Sequence, residues 1–215
     1  LGIIGLGHMG TAIARGAVRK EYIERYKIAV YDHSEHAKND CRIEGFDNLY
    51  SLKELGENSH IDLLAVRPQQ VEEVLDEIKD YDIHTLLSIV TGVSIQHLQS
   101  RLNNAPIIRS MPNTPLQINE GATALCKSEN CKADDYDFVF QLFATMGVTK
   151  TVKEEQMEAL RAKLEKTSGK KIHLTQKTDP TVLAGLRVEM EGIQLDGTVQ
   201  GRISDITKKL NEVVV

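Results

Sequence analysis

The feature that most constrains this chain is a short apolar run, Leu1–Ile4, that breaks into Gly5-Leu6-Gly7-His8-Met9-Gly10 and then into a helix pattern over Met9–Lys20. A G-x-G-x-x-G string alone carries little weight. Between a strand and a helix, each glycine acquires a steric reason. Gly5 permits the tight turn, Gly7 lets the backbone approach a pyrophosphate, and Gly10 lets helix and strand pack closely. The helix N-terminus adds unpaired N–H groups and the positive end of a dipole, both suited to phosphates. The residues Gly5, Leu6, Gly7, His8, Met9 and Gly10 are therefore expected to bind a nicotinamide dinucleotide; a strand-to-helix turn without a ligand is the alternative.

A second apolar run, Ile28–Tyr31, ends at Asp32. That residue follows the loop by about 20 positions, where a carboxylate accepts the ribose hydroxyls of NAD. A carboxylate there repels a 2′-phosphate and no Arg stands beside it, so NADH is favoured over NADPH. The competing reading of Asp32 is a solvated turn residue. His33 and His36 stand on the adenosine side or on open surface.

Further apolar runs at Ile61–Val66, Thr85–Val90 and Pro106–Arg109 are rich in Ile, Leu and Val without alternation, as in strands buried on both faces of a parallel sheet. Helix patterns separate them: a short one after Ser51, a candidate N-cap, and Val71–Ile78, whose Glu72, Glu73 and Glu77 point away from its apolar face. Asp134–Met146 adds a helix with Phe138, Leu142 and Phe143 on its apolar face, and Val148–Val152 a final strand. The fold expected is α/β: a Rossmann-like, doubly wound parallel sheet.

Composition divides the 215 residues unevenly. All ten aromatic residues and all three cysteines lie before position 144. Residues 151–215 hold 11 Lys+Arg and 10 Asp+Glu, so of the net charge of −5 the first 150 residues carry −6 and the rest +1. That tail reads as helix (Glu154–Thr167), strand (Lys171–Lys177), an Asp179-Pro180 turn, strand (Leu186–Met190), an Asp196-Gly197 turn and helix (Ile203–Leu210), a small α+β unit. The expected domains are thus 1–152 and 153–215. The acidic balance argues against nucleic-acid binding, and no apolar run approaches the roughly 20 residues of a membrane span. Three cysteines and no visible signal segment fit a cytoplasmic protein, although the chain opens at Leu1 inside an apolar run.

Three further segments share a source. Gly5–Gly10 (GLGHMG), Ala65–Gln69 (AVRPQ) and Arg109–Pro115 (RSMPNTP), followed by Glu120–Ala124 (EGATA), resemble the N-terminal domain of pyrroline-5-carboxylate reductase over about 1–155. The resemblance implies that Ala65, Val66, Arg67 and Pro68 lie beside the cofactor and that Asn113 and Thr114 border the nicotinamide. Arg67 departs from the family's usual Lys. The implied reaction is hydride transfer from NADH or NADPH to the C=N carbon of 1-pyrroline-5-carboxylate, giving L-proline. The family continues into a helical substrate and dimer domain, whereas this sequence runs Arg161-Ala162-Lys163-Leu164-Glu165-Lys166. Impaired reduction, or a non-catalytic dinucleotide-binding module, is expected instead, and no residue is assigned a catalytic role. Residues 154–215 resemble the C-terminal domain of the ATP synthase delta subunit, with Ala184 in place of a usual glycine, which implies contact with peripheral-stalk subunits. EEQMEAL (154–160) suits both families.

The remaining candidates have plain readings. Cys126 and Cys131 are expected in a loop, without zinc spacing. His60, His84, His97 and His173 show no partner pattern, and Asp134, Asp135 and Asp137 suit a helix N-terminus better than a metal. No metal site is expected.

Overall fold

The computed structural model describes residues 1–49, 51–159, 187–190 and 193–196. Two compact units are distinguished, Leu1–Gly169 and Lys170–Val215.

The first unit is built on an eight-stranded sheet. Its strands are β1 (Gly2–Ile4), β2 (Ala29–Tyr31), β3 (Asp47–Asn48), β4 (Ile61–Leu64), β5 (Thr85–Ser88), β6 (Ile107–Pro112), β7 (Gly121–Lys127) and β8 (Gly147–Thr151). The helices between them are α1 (His8–Arg19), α2 (Glu35–Glu44), α3 (Leu52–Asn58), α4 (Val71–Ile78), α5 (Ile95–Arg101) and α6 (Ala133–Ala144). Sheet order is β3-β2-β1-β4-β5-β6-β7-β8. All neighbours are parallel except β6 and β7, which run antiparallel with Arg109 opposite Cys126. The order reverses between β1 and β4, where the chain leaves β1 in one direction and returns on the other side. Such a switch point opens a crevice at the carboxyl ends of the strands.

The central strands explain themselves. β1, β4 and β5 are buried at every position, so neither face of the sheet tolerates a polar stripe and both need a helical layer. One layer packs Ile13 and Ala14 of α1 and Val139, Leu142 and Phe143 of α6 against Ile3, Leu63 and Ile108. The other packs Leu55, Leu75 and Leu98 from α3, α4 and α5 against Ile4, Leu64 and Ile107. Ser51 Oγ accepts the Glu54 N–H and Ser94 Oγ accepts the His97 N–H, each satisfying an orphan donor of its helix. On α6, Val139, Leu142 and Phe143 are fully buried, with Phe138 at the rim of the buried face.

Sequence and structure part in a few places. Cys126 lies on β7, not in a loop, and Cys41, Cys126 and Cys131 are all buried free thiols. Burial pushes the Cys126 and Cys41 thiols up to about 11, which leaves both unreactive at neutral pH. Three of the histidines expected without a partner pattern have partners: His60 bonds Asp135 at 2.8 Å and stacks on His84, and His97 bonds Glu72 at 2.7 Å. Of the second unit, β9 (Arg187–Met190) and β10 (Ile193–Asp196) form an antiparallel pair with Met190 opposite Ile193. β9 falls within the run read as a strand at Leu186–Met190; the expected elements at Lys171–Lys177 and Ile203–Leu210 lie outside the described residues.

Candidate functional site

The glycine loop joins β1 to α1 at the switch point. Gly5 adopts φ +95°, and a Cβ there would come within 3.0 Å of the Ala65 carbonyl oxygen. A Cβ on Gly10 would lie 2.4 Å from the Gly5 carbonyl oxygen, so α1 sits against the loop at a distance only glycine allows. Gly7 is different. A Cβ there would meet nothing within 4 Å: the backbone is bare toward open space, a cradle for a group that approaches it closely. Gly7 is also the N-cap of α1, with no side-chain cap and no acidic residue in the first turn, so the first-turn N–H groups of His8, Met9 and Gly10 lack a competing carboxylate.

Asp32 stands at the end of β2 with both oxygens engaged. Oδ2 accepts the Leu6 N–H at 2.8 Å and Oδ1 accepts the Ser34 N–H at 2.8 Å. The carboxylate thereby ties the β2 turn to the glycine loop while keeping acceptor capacity for a further donor.

Gly5, Leu6, Gly7, Asp32, Ala65, Val66 and Arg67 line one cleft of about 480 Å³. The volume is that of an ordinary small-molecule site. His8, Met9 and Gly10 form the first turn of α1 beside it, and Pro68 opens the short 3-10 turn Pro68–Gln70. His33 and His36 border the cleft and are exposed, His36 at 3.1 Å from Asp40. Asn113 and Thr114 are not part of this cleft. They follow β6, whose carboxyl end lies along the same sheet edge two strands beyond β4, and Asn113 Oδ1 accepts the Ala122 N–H at 2.8 Å.

Sequence reading missed the opposite wall. Asp40, Glu73 and Glu77 also line the cleft, so with Asp32 it presents four carboxylates against the single guanidinium of Arg67. Glu73 and Glu77 are i,i+4 neighbours on α4, and their spacing was a usable signal once α4 was placed beside the switch point. The field is felt locally: burial first, then the charge of Glu77, raises the Tyr31 phenol above its ordinary value. Among the described residues no group of three or more His, Cys, Asp or Glu is placed to hold a metal. No helix among them is long and apolar enough to cross a membrane.

The family model described as "NADP oxidoreductase coenzyme F420-dependent" matches residues 1–92, and that described as "ATP synthase delta (OSCP) subunit" matches 141–210. A pyrroline-5-carboxylate reductase of Aquifex aeolicus is 31% identical over 163 residues, 75% of this chain and 60% of the relative. One of Arabidopsis thaliana is 28% identical over 214 residues, 97% of this chain and 77% of the relative. The chain spans less than two thirds of the Aquifex aeolicus relative. The crystal structure of Plasmodium falciparum pyrroline carboxylate reductase with NADP bound shares 27% identity at a TM-score of 0.65, over 78% of this chain and 65% of that one. A reductase structure from Coxiella burnetii, 24% identical, shares the fold at a TM-score of 0.69, over 78% of this chain and 67% of that one. The site is of the NAD(P)-binding type. Over about its first 155 residues this chain is similar to the pyrroline-5-carboxylate reductases, and it is joined to a segment similar to the ATP synthase delta subunit.

Proposed function

We propose that this chain binds a nicotinamide dinucleotide along the carboxyl edge of its sheet and acts as, or derives from, a reductase of 1-pyrroline-5-carboxylate. The observation that carries the reading is the bare Gly7 backbone at an uncapped helix N-terminus, facing a cleft that Asp32 also borders. The N–H groups of His8, Met9 and Gly10 would hold the pyrophosphate, and Asp32 would accept the ribose hydroxyls. Ala65, Val66, Arg67 and Pro68 would flank the dinucleotide, and Asn113 and Thr114 the nicotinamide. When bound, the cofactor supplies the hydride that reduces a C=N carbon, while the nitrogen takes a proton. The chain's contribution is to fix the ring's position and exclude water from the edge.

The acidic lining favours NADH. A 2′-phosphate brought beside Asp32, Asp40, Glu73 and Glu77 meets repulsion that one guanidinium does not neutralise. Calorimetric titration with NADH and NADPH tests this: NADH is expected to bind tighter by about tenfold or more, and equal or reversed affinities would sink the preference. Proline formation from 1-pyrroline-5-carboxylate, followed with both cofactors at high protein concentration, tests the activity. Dinucleotide binding without turnover would assign the chain as a non-catalytic module.

For the delta-like segment we infer contact with ATP synthase stalk subunits, supported by the match over 141–210. Pull-down of purified stalk subunits by the full chain tests it; failure to retain them at micromolar concentration removes the inference.

A further inference from the structure

Among the described residues, Arg109 is the one buried cation, and the dinucleotide cleft does not explain its role. Its side chain is 4% exposed. Nη1 donates to Glu154 Oε1 at 2.6 Å and Nη2 donates to Glu158 Oε1 at 2.9 Å. The two glutamates are i,i+4 in the helical stretch at 154–159, so one face of that stretch presents both carboxylates to one planar fork. An ammonium carries its three donors on one nitrogen, so it lacks the two separated, coplanar nitrogens that here face the two carboxylates.

The pairing reaches further. Glu154 Oε1 also accepts the Ile95 N–H at 2.8 Å, at the first residue of α5. The loop at 89–94, which follows the carboxyl end of β5, is thus gripped at its far end by Glu154. At its near end Ile89, Val90 and Thr91 close against Met111, Met157 and Glu158, leaving a void of only about 10 Å³. β5 and β6 run parallel to β1 and β4, so this loop and Asn113 share the sheet edge with the glycine loop. A dinucleotide whose pyrophosphate rests at Gly7 extends its nicotinamide half toward them.

We propose that Arg109 is a positioning residue for the nicotinamide half of the site: through Glu154 and Glu158 it holds the 154–159 helix against the sheet and thereby sets the 89–94 loop and the Asn113–Thr114 turn. This rests on the dinucleotide reading above. The adenosine half, at Gly7 and Asp32, is independent of it.

The experiment compares NADH with ADP-ribose, which lacks the nicotinamide, on the full chain carrying Arg109→Lys, Arg109→Met or Glu154→Gln. The expected result is about a tenfold loss of NADH affinity in the Arg109 variants with ADP-ribose changed less than about twofold. Arg109→Lys is expected to rescue little, because the charge returns without the fork. Because Arg109→Met leaves two carboxylates without their cation and is the variant most prone to misfold, Glu154→Gln serves as the milder probe. In it the Ile95 amide, read by hydrogen exchange, is expected to exchange about tenfold faster, with NADH weakened selectively. Equal losses for both ligands, full rescue by Lys, or unchanged NADH affinity with a loosened Ile95 amide would each overturn the positioning role. Absence of NADH binding by the unaltered chain would overturn the dinucleotide reading and this role with it.

Discussion

Two glycines of one loop are expected to fail in opposite ways when substituted. A Cβ on Gly10 collides with the Gly5 carbonyl oxygen, whereas one on Gly7 enters open space. Gly10→Ala should therefore lower stability, by about 1–3 kcal/mol as for other overpacked sites, visible as a fall in Tm. Gly7→Val should leave Tm nearly unchanged yet weaken NADH by about a hundredfold, since the new side chain fills the cradle. Unchanged NADH affinity in Gly7→Val would count against the loop as a phosphate site. Asp135 offers a pH test at the same scale. Burial raises its carboxyl, but hydrogen bonds from Thr85 and His60 more than offset this, and the net shift is downward. A depressed carboxyl adds stability above its unfolded pKa and loses it as pH falls through the folded one. The Tm gap between the unaltered chain and Asp135→Asn is thus expected to be full above the ordinary carboxylate range and to close as pH falls below it through the depressed folded-state value.

At the scale of elements, the helical stretch at 154–159 carries the sharpest expectation. Met157 is 2% exposed and packs in the same core layer as Leu75, Leu98 and Ile107. Met157→Ala should cost about 2–4 kcal/mol in urea unfolding, a cavity penalty that a residue outside the core would not show. The elements also show why some of the fold was readable and some was not. β1, β4 and β5 are short runs dominated by Ile and Leu without polar alternation, and α4 places Val71, Leu75 and Ile78 at helical spacing, so pattern alone sufficed. α2 escaped notice because it is polar around most of its circumference, with Ala37 and Cys41 as its buried contacts. β7 escaped because its sequence, GATALCK, opens on small residues whose strand state comes from pairing with β6 and β8. The contact of Gly121 with Gly147, whose Cβ would lie 2.1 Å from the Gly121 carbonyl oxygen, is tertiary and has no local signature. The glycine loop of the site was legible because its chemistry is contiguous in sequence. The acidic wall from α2 and α4 was not, because Asp40, Glu73 and Glu77 meet only through the sheet order.

For the whole molecule, the two family resemblances overlap where the structure is described. The delta match begins at 141, yet Leu142, Phe143, Met146 and Met157 are core residues of the first unit, and Glu154 and Glu158 hold its buried Arg109. Residues 141–159 therefore have their partners within the nucleotide-binding sheet. The aromatic distribution makes this unit separately observable: all six tyrosines precede residue 144, so tyrosine fluorescence reports on the first unit alone. NADH at about 100 times its Kd should stabilise the tyrosine-detected transition by about 2.7 kcal/mol. A transition indifferent to NADH would argue that the cleft is not a dinucleotide site.

The double bond-sharing of Asp32 has a consequence for how a ligand is met. With one oxygen held by Leu6 and the other by Ser34, its rotamer is chosen during folding, so capture of a ligand removes little of its side-chain entropy. The same restraint makes the residue a poor adapter. Swinging away to admit a bulkier anionic group would strip two backbone donors of their acceptor at once, one of them in the glycine loop itself. If the proposed dinucleotide binds here, its discrimination at Asp32 is a property of the folded loop, written before the ligand arrives.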